Sequence, residues 1–456
     1  MLTHLRIKNF KAWADTGEIR LAPITVFFGG NSAGKSSIPQ LLLMLKQTAE
    51  SPDRSRALHL GDERTPVDLG LYPDVIHDHD TNNELEFQLR WKAGPGFRIR
   101  DPIQKQRFKG DEIEFSATLQ GETVPRVVQM GYRVFEQDEE TISLGLKLEE
   151  GSGEKYKLLH SGYRPIRQPG RAWPLPRPQR FYRFPDEATA YYQNLRIASD
   201  LALSLEETLR LVFHLGPLRE PPRRSYRWSG EAPDHVGERG DRFIEAILAG
   251  AKRAYNWTPK AKTEPLEKIV AWYLRDMGLI HDFRVESVGP RVKEYEVTVQ
   301  ATPASPSVYL TDVGFGVSQV LPVIVEAFYV PAGSAVIMEQ PEIHLHPRVE
   351  AKLADLFVDA ISVREQSVPR NCQFILESHS EHLLRRLQRK IAEEQVDKKQ
   401  VALYFVSQGK EGAVLEPLEV DDYGNINNWP ADFFGDAMAD HVARVQAEAK
   451  RKRAND

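Results

Sequence analysis

The 456-residue sequence holds a single cysteine, Cys372. One thiol excludes an intrachain disulfide and any cysteine cluster for metal, and it fits a reducing compartment. No apolar run approaches the roughly 20 residues of a membrane-spanning helix, and the first residues lack the apolar stretch of a secretory signal. A cytoplasmic protein without a membrane partner is therefore expected. A strong excess of one charge is missing too: 60 Lys and Arg against 65 Asp and Glu give a net charge of −5. That excludes a surface basic all over, so any nucleic-acid contact has to come from a local patch. No internal repeat is visible. Hydrophobic residues at 41% and charged ones at 27% describe a globular chain, long enough for two or three subdomains.

What is present is a phosphate-binding pattern. Gly29-Gly30-Asn31-Ser32-Ala33-Gly34-Lys35-Ser36 fits G-x-x-x-x-G-K-[ST] without a misfit. Small residues let successive backbone N–H groups close around phosphates, the lysine reaches the β/γ-phosphates, and the Ser36 hydroxyl ligates Mg²⁺. The apolar run Ile24–Phe28 predicts a buried strand before the loop, and Ser37–Leu45 predicts a helix after it, with Pro39 in a first turn that tolerates it. This predicts binding of ATP and Mg²⁺ by residues 29–37, Ser37 included.

Residues 1–30 predict an antiparallel piece feeding the P-loop strand. Short alternating stretches between 84 and 150, such as Leu85-Glu86-Phe87-Gln88-Leu89, predict a β-meander. Residues 186–215 (Leu201, Leu205, Leu209, Val212) and 240–280 have helical spacing, and 305–410 alternates helix with apolar strand. Within that last part, Ser334–Glu339 is an apolar strand ending in a carboxylate, the Walker B logic for holding a metal shell. Gln340-Pro341-Glu342 and His344-Leu345-His346-Pro347 follow, and Phe374–Ser380 is another strand with a polar tip that includes His379. Upstream, Gly314 and Gly316 with Ser318 open a predicted helix, a ready anion site.

The order P-loop, glycine signature, acidic strand tip and strand-tip histidine resembles the ABC-type ATPase heads of the RecF/SMC/OLD (overcoming-lysogenization-defect) branch. More closely it resembles stand-alone prokaryotic AAA-family ATPases with an E-Q-P-E-x-H-L-H-P motif and a short C-terminal domain of unknown function. The ATPase subunits of PARIS- and Septu-type anti-phage systems are of this kind. Gly216–Pro221 and Trp429–Phe434 look like that family's segments too. The resemblance implies an α/β fold: a mixed core sheet flanked by helices, an antiparallel β-subdomain and an inserted β/helical middle region. The implied divisions are 1–90 and 305–410 for the two parts of the head, 91–304 for the insert, and 411–456 for a small C-terminal domain and the basic tail Lys450–Arg453. Carried over by position, Lys35 and Ser36 would hold phosphate and Mg²⁺, Glu339 would be the Walker B acid, and His379 would touch the γ-phosphate. Gly314 and Gly316 would cap ATP bound to the opposite subunit of a head-to-tail homodimer or a larger assembly. The implied partner is a separate nuclease or toxin that the ATPase senses for and regulates.

Two positions depart from the pattern. Gln340 stands where related heads carry a glutamate that orients the attacking water, and an amide cannot accept the proton. Either Glu342 supplies the base, or turnover is slow and ATP acts chiefly as a clamp. Gly314 replaces the serine of transporter signatures, with Ser318 as a substitute donor. Gln40 and Gln47 are both candidates for a Q-loop glutamine. His344-x-His346 is read as a dimer-facing loop ahead of a metal site. The stretch 155–184 carries Lys155, Lys157, Arg164, Arg167, Arg171, Arg177, Arg180 and Arg183, with Tyr156, Tyr163, Trp173, Phe181, Tyr182 and Phe184 interleaved and no Asp or Glu. Arginines for phosphates and aromatic faces for bases would suit nucleic acid or an acidic partner; a solvated proline-rich loop is the alternative. The competing functions are a RecF-like DNA clamp, an ATP-locked scaffold without hydrolysis, and a transporter's nucleotide subunit.

Overall fold

The computed structural model describes the whole chain except residues 95–96, 102, 152, 171–172, 259 and 431–456. Ala431–Phe434 and the basic run Lys450–Arg453 lie outside the described residues.

The apolar run before the P-loop becomes the strand Ile24–Gly29, buried at every position but the last. A run that is apolar at consecutive positions suits a strand covered on both faces. It sits inside a six-stranded sheet whose order is Val212–Leu215, Ala335–Glu339, Gln373–Glu377, Ile24–Gly29, Val401–Gly409, Gly412–Pro417. All neighbours are parallel except the last pair, an antiparallel hairpin at the edge. The parallel strands end along one edge, where Glu339 pairs in register with Glu377, and Glu377 with Phe27. In open α/β sheets ligands bind outside these carboxyl ends.

Both faces of this sheet are covered. Phe27, Ile337 and Ile375 join a core with the helix Ser37–Glu50, the helix Arg196–Arg210 and a second, antiparallel sheet. Ile24, Val26 and Phe28 face the opposite way, into a core with the helices Phe315–Tyr329, Pro347–Ser362 and Glu381–Ala392. The helix Ser37–Glu50 is buried at most of its positions, as a helix that is apolar nearly all round should be.

The second sheet confirms the meander. Its antiparallel order runs Tyr156–Ser161, Glu139–Leu148, Arg126–Glu136, Glu112–Gln120, Leu85–Lys92, Leu2–Phe10, Trp13–Asp15, with Ile19–Arg20 also paired to Leu2–Phe10. In Leu85–Lys92 the alternation is realised: Leu85, Phe87, Leu89 and Trp91 are buried and the residues between them are not. The molecule is thus the mixed α/β P-loop head with an antiparallel subdomain that the resemblance implies.

Two expectations are corrected in detail. Val212 does not continue the helix that carries Leu201, Leu205 and Leu209; that helix ends at Arg210, and Val212 begins the edge strand of the core sheet. The division at residue 90 runs through one sheet, because Leu85–Lys92 pairs with Glu112–Gln120 along its length.

Candidate functional site

The P-loop leaves its strand at Gly29, where φ is +142° and an added Cβ would lie 2.1 Å from the carbonyl oxygen of Val406 on the neighbouring strand. Gly34 has φ +104°, and a Cβ there would meet Ala12 at 2.9 Å. Gly29 is fixed by the neighbouring backbone and Gly34 by the side chains of Ala12 and Ala413, and the Trp13 indole N–H donates to the Gly34 carbonyl at 3.1 Å. Gly30, Asn31 and Ser32 form the exposed crown of the loop, with Ala33 buried below. Lys35 is 3% exposed, and its Nζ donates to the carbonyls of Gly29 (3.1 Å) and Gly30 (2.7 Å). Burial lowers its pKa, opposed by Glu377 and Glu342. A cleft of about 310 Å³ opens over the loop, lined by its residues Ser32 to Ser37 together with Lys11, Gln40 and Glu377.

Among the described residues, Glu377 is the acid bonded to the P-loop serine. Its Oε2 accepts the Ser36 hydroxyl at 2.7 Å, and its Oε1 lies 3.8 Å from Lys35 Nζ. Burial pushes this carboxyl up, with the Ser36 hydrogen bond opposing, Glu339 adding to the rise and Lys35 countering it. Glu339, expected in this place, is turned to the other side: its Oε1 meets His214 Nε2 at 2.8 Å. Strand order is the cause. The strand ending in Glu377 lies directly beside the P-loop strand, whereas Glu339 is two strands away, about 10 Å at ordinary strand spacing. Arg219 reaches the Glu339 carbonyl at 3.5 Å and is 6% exposed, with Nε and Nη1 lacking a hydrogen-bond partner among the described residues. Burial brings this guanidinium down to about 10, against the pull of Glu339, Glu326 and Glu342.

Gln340 has φ +44°, and its backbone N–H donates to the Glu377 carbonyl at 2.8 Å, tying the two strand tips together. Glu342 is buried rather than presented to the cleft. Its Oε1 accepts the Ser378 hydroxyl at 2.9 Å and the His379 backbone N–H at 2.6 Å. Burial raises its pKa, with these bonds opposing. The His379 ring is half-buried; burial lowers its pKa first, then the charge of Lys35, while the Gly29 backbone opposes.

The signature residues are not at this cleft. Gly314 precedes the helix Phe315–Tyr329, and the Ser318 hydroxyl donates to the Phe315 carbonyl at 2.7 Å inside that helix. Gly316 packs beside the His344 backbone, and the exposed Phe315 ring meets the His344 ring at 5.2 Å. His346 caps the next helix by accepting from the Arg348 N–H. Among the described residues no group of three or more His, Cys, Asp or Glu side chains gathers for a metal. The oxygens that do converge are those of Ser36 and Glu377, and hard oxygen donors of this kind suit Mg²⁺.

The sequence reading missed four residues: Glu377, Lys11, His214 and Arg219. Lys11 lines the cleft and donates to Gln40 at 2.8 Å. Gln47, by contrast, is buried and bonded to His59 and Val67. For Glu377 a signal existed, since it ends an apolar strand just as Glu339 does. The aromatic part of the nucleic-acid reading is corrected. Tyr156, Tyr163, Phe181, Tyr182 and Phe184 are all buried in the core, and of the described aromatics in 155–184 only Trp173 is exposed. Arg180 is buried against the Ala49 and Ser51 carbonyls, and Arg183 pairs with Glu206 at 3.0 Å. Arg171 lies outside the described residues. No described helix is long and apolar enough to cross a membrane.

A family model described as an AAA domain, putative AbiEii toxin of a type IV TA system, matches residues 24–385. A second model, described as a protein of unknown function (DUF3696), matches residues 396–442. Among solved structures the chain is similar to the SMC head domain from Thermotoga maritima, at 11% identity over 92% of this chain and 99% of that one, with a TM-score of 0.40. It is also similar to an Smc head bound to the C-winged helix domain of ScpA, at 12% identity over 92% and 98%, with a TM-score of 0.43. A third is an Smc head with an extended coiled coil bound to the C-terminal domain of ScpA, derived from Pyrococcus furiosus, at 9% identity over 92% and 96%, with a TM-score of 0.42. No curated protein matches.

Proposed function

The chain belongs to this AAA-domain family, and from that premise we propose that it is an ATP-hydrolysing head which pairs head-to-tail with a second copy on ATP. In this reading it senses a phage-related cue and gates a separate effector, a nuclease or toxin, in prokaryotic defence. The observation that carries the ATP half is the convergence of Lys35, Ser36 and Glu377 under a glycine-fixed loop at the carboxyl edge of the sheet.

The backbone N–H groups of residues 29–37 would take the phosphates, and Lys35 would exchange its bonds to the Gly29 and Gly30 carbonyls for phosphate oxygens. Ser36 and Glu377 would hold Mg²⁺, which when bound neutralises charge developing across the β- and γ-phosphates. Glu339, held by His214, would act on the outer metal shell. Gln340 would orient water through its amide without taking its proton, which makes slow turnover the expectation. His379 would contact the γ-phosphate.

Pairing draws on the placement of the signature. Gly314 is exposed and Gly316 half-buried at a helix start away from their own chain's cleft, with Ser318 buried just behind them, so this helix start would serve the ATP of a second copy. The effector role draws on the family's description, which names a putative toxin of a TA system. A RecF-like DNA clamp is the alternative reading, and it draws little from 155–184, where five of the six interleaved aromatics are core residues and only Trp173 is exposed.

Light scattering together with phosphate release tests this reading. The expected outcome is a doubling of mass with Mg·ATP that disappears in Lys35→Ala and in Gly316→Arg. A Cβ at Gly316 meets only ordinary contacts, at 3.7 Å and beyond, so the arginine variant is expected to fold. Unchanged mass on ATP would sink the pairing. A stable ATP-bound dimer that releases no phosphate would identify an ATP-locked scaffold.

A further inference from the structure

We propose that Glu377 couples nucleotide binding to metal: its carboxylate, set against Ser36 and Lys35, is the metal-side ligand of the site and repels ATP that arrives without a cation. This rests on reading the P-loop as the ATP site. The inference goes beyond that reading, because the acid expected to face the metal was Glu339.

The carboxylate occupies the place where charge matters most. It is 8% exposed, bonded to the Ser36 hydroxyl at 2.7 Å, and 3.8 Å from the only ammonium among the residues of the loop. The strand tip cannot swing away easily. The Gln340 N–H donates to the Glu377 carbonyl at 2.8 Å, and the Ser378 N–H donates to the Phe27 carbonyl at 3.1 Å. A phosphate taking up Lys35 therefore meets a fixed negative charge a few ångströms away, in a setting where water screens poorly. A divalent cation placed between them reverses the sign of that interaction, and the Ser36 and Glu377 oxygens are the donor type Mg²⁺ prefers. Glu339 does not share this position, because its carboxylate is held by His214 at 2.8 Å and lies one strand further out.

Titration calorimetry of the full chain with ATP, in Mg²⁺ and in EDTA, tests the coupling without reference to turnover. Wild type is expected to bind ATP at least about tenfold more tightly with Mg²⁺ than in EDTA. Glu377→Gln is expected to bind metal-free ATP about tenfold more tightly than wild type and to gain little from Mg²⁺. Glu377→Asp retains the charge and should retain the coupling, as should Glu339→Gln. Equal affinity of wild type for ATP in Mg²⁺ and in EDTA overturns the proposal without any variant, and so does Glu377→Gln with unaltered metal dependence. Lys35→Ala that binds ATP as wild type does would overturn the P-loop reading itself, an outcome separate from either of those.

Discussion

The carboxylate of Glu342 accepts the backbone N–H of His379 at 2.6 Å, with the Ser378 hydroxyl on the same oxygen at 2.9 Å. The residue thus joins the loop after one strand tip to the loop after the next. A carboxylate held this way by Oε1 fixes the histidine's position, while its buried Oε2 has no hydrogen-bond partner among the described residues.

Glu342→Gln keeps an acceptor oxygen for both donors, so its turnover should fall by less than about tenfold, well short of the effect of losing a general base. Glu342→Ala leaves two buried donors without a partner and should lose on the order of 2–4 kcal/mol of stability. Urea denaturation and phosphate release measure the two effects. A glutamine variant that is inactive yet fully stable would make Glu342 the base after all.

Mg·ATP at about 100 times its Kd should raise the unfolding free energy of wild type by about 2.7 kcal/mol. The same nucleotide should leave Lys35→Ala unmoved in a thermal-unfolding assay. A full shift in the variant would place the nucleotide elsewhere.

Arg219 is a buried cation among Glu339, Glu326 and Glu342. Removing its charge takes away the guanidinium these three acids share, so Arg219→Met should cost about 3 kcal/mol, and Arg219→Lys less. Equilibrium denaturation decides; equal stability of Arg219→Met and wild type would mean that the acids relax without it.

Asp355 joins two helices behind the sheet. Arg386 donates to both of its oxygens at 2.9 and 2.8 Å, and Lys390 Nζ lies 2.9 Å away. Burial pushes this carboxyl up, but the bonds from Arg386 and Lys390 outweigh it and the net direction is down. A pKa depressed by folding gives stability that is present above the unfolded value and is lost as pH falls through the folded one. Asp355→Asn should therefore be less stable by about 3 kcal/mol at pH 7. The gap should close as pH falls below the ordinary carboxylate range and through the lower folded value, where wild-type Asp355 also becomes neutral. A gap that is constant with pH would show that the ion pairs contribute nothing.

Much of the head was legible because its signals are local. The P-loop needs its glycines, lysine and serine at fixed spacing in one segment, and alternation along Leu85–Lys92 marks a half-buried strand whatever it pairs with. Val212 was misread for a related reason. The short apolar run Val212–Leu215 continues the spacing of the helix before it, and periodicity cannot separate the two over four residues. The arginines and aromatics of 155–184 give no sign of which face is buried.

The sequence by itself determined that a phosphate-binding loop lies between a buried strand and a helix, that one later strand ends in a carboxylate and another in a polar tip, and that a glycine pair opens a helix. Only the tertiary structure decided which carboxylate meets the loop. Both strands read alike along the chain, but hydrogen-bonded neighbours in a sheet are chosen across it. The strand of Gln373–Glu377 lies beside the P-loop strand, so Glu377 reaches Ser36 while Glu339 is left to His214.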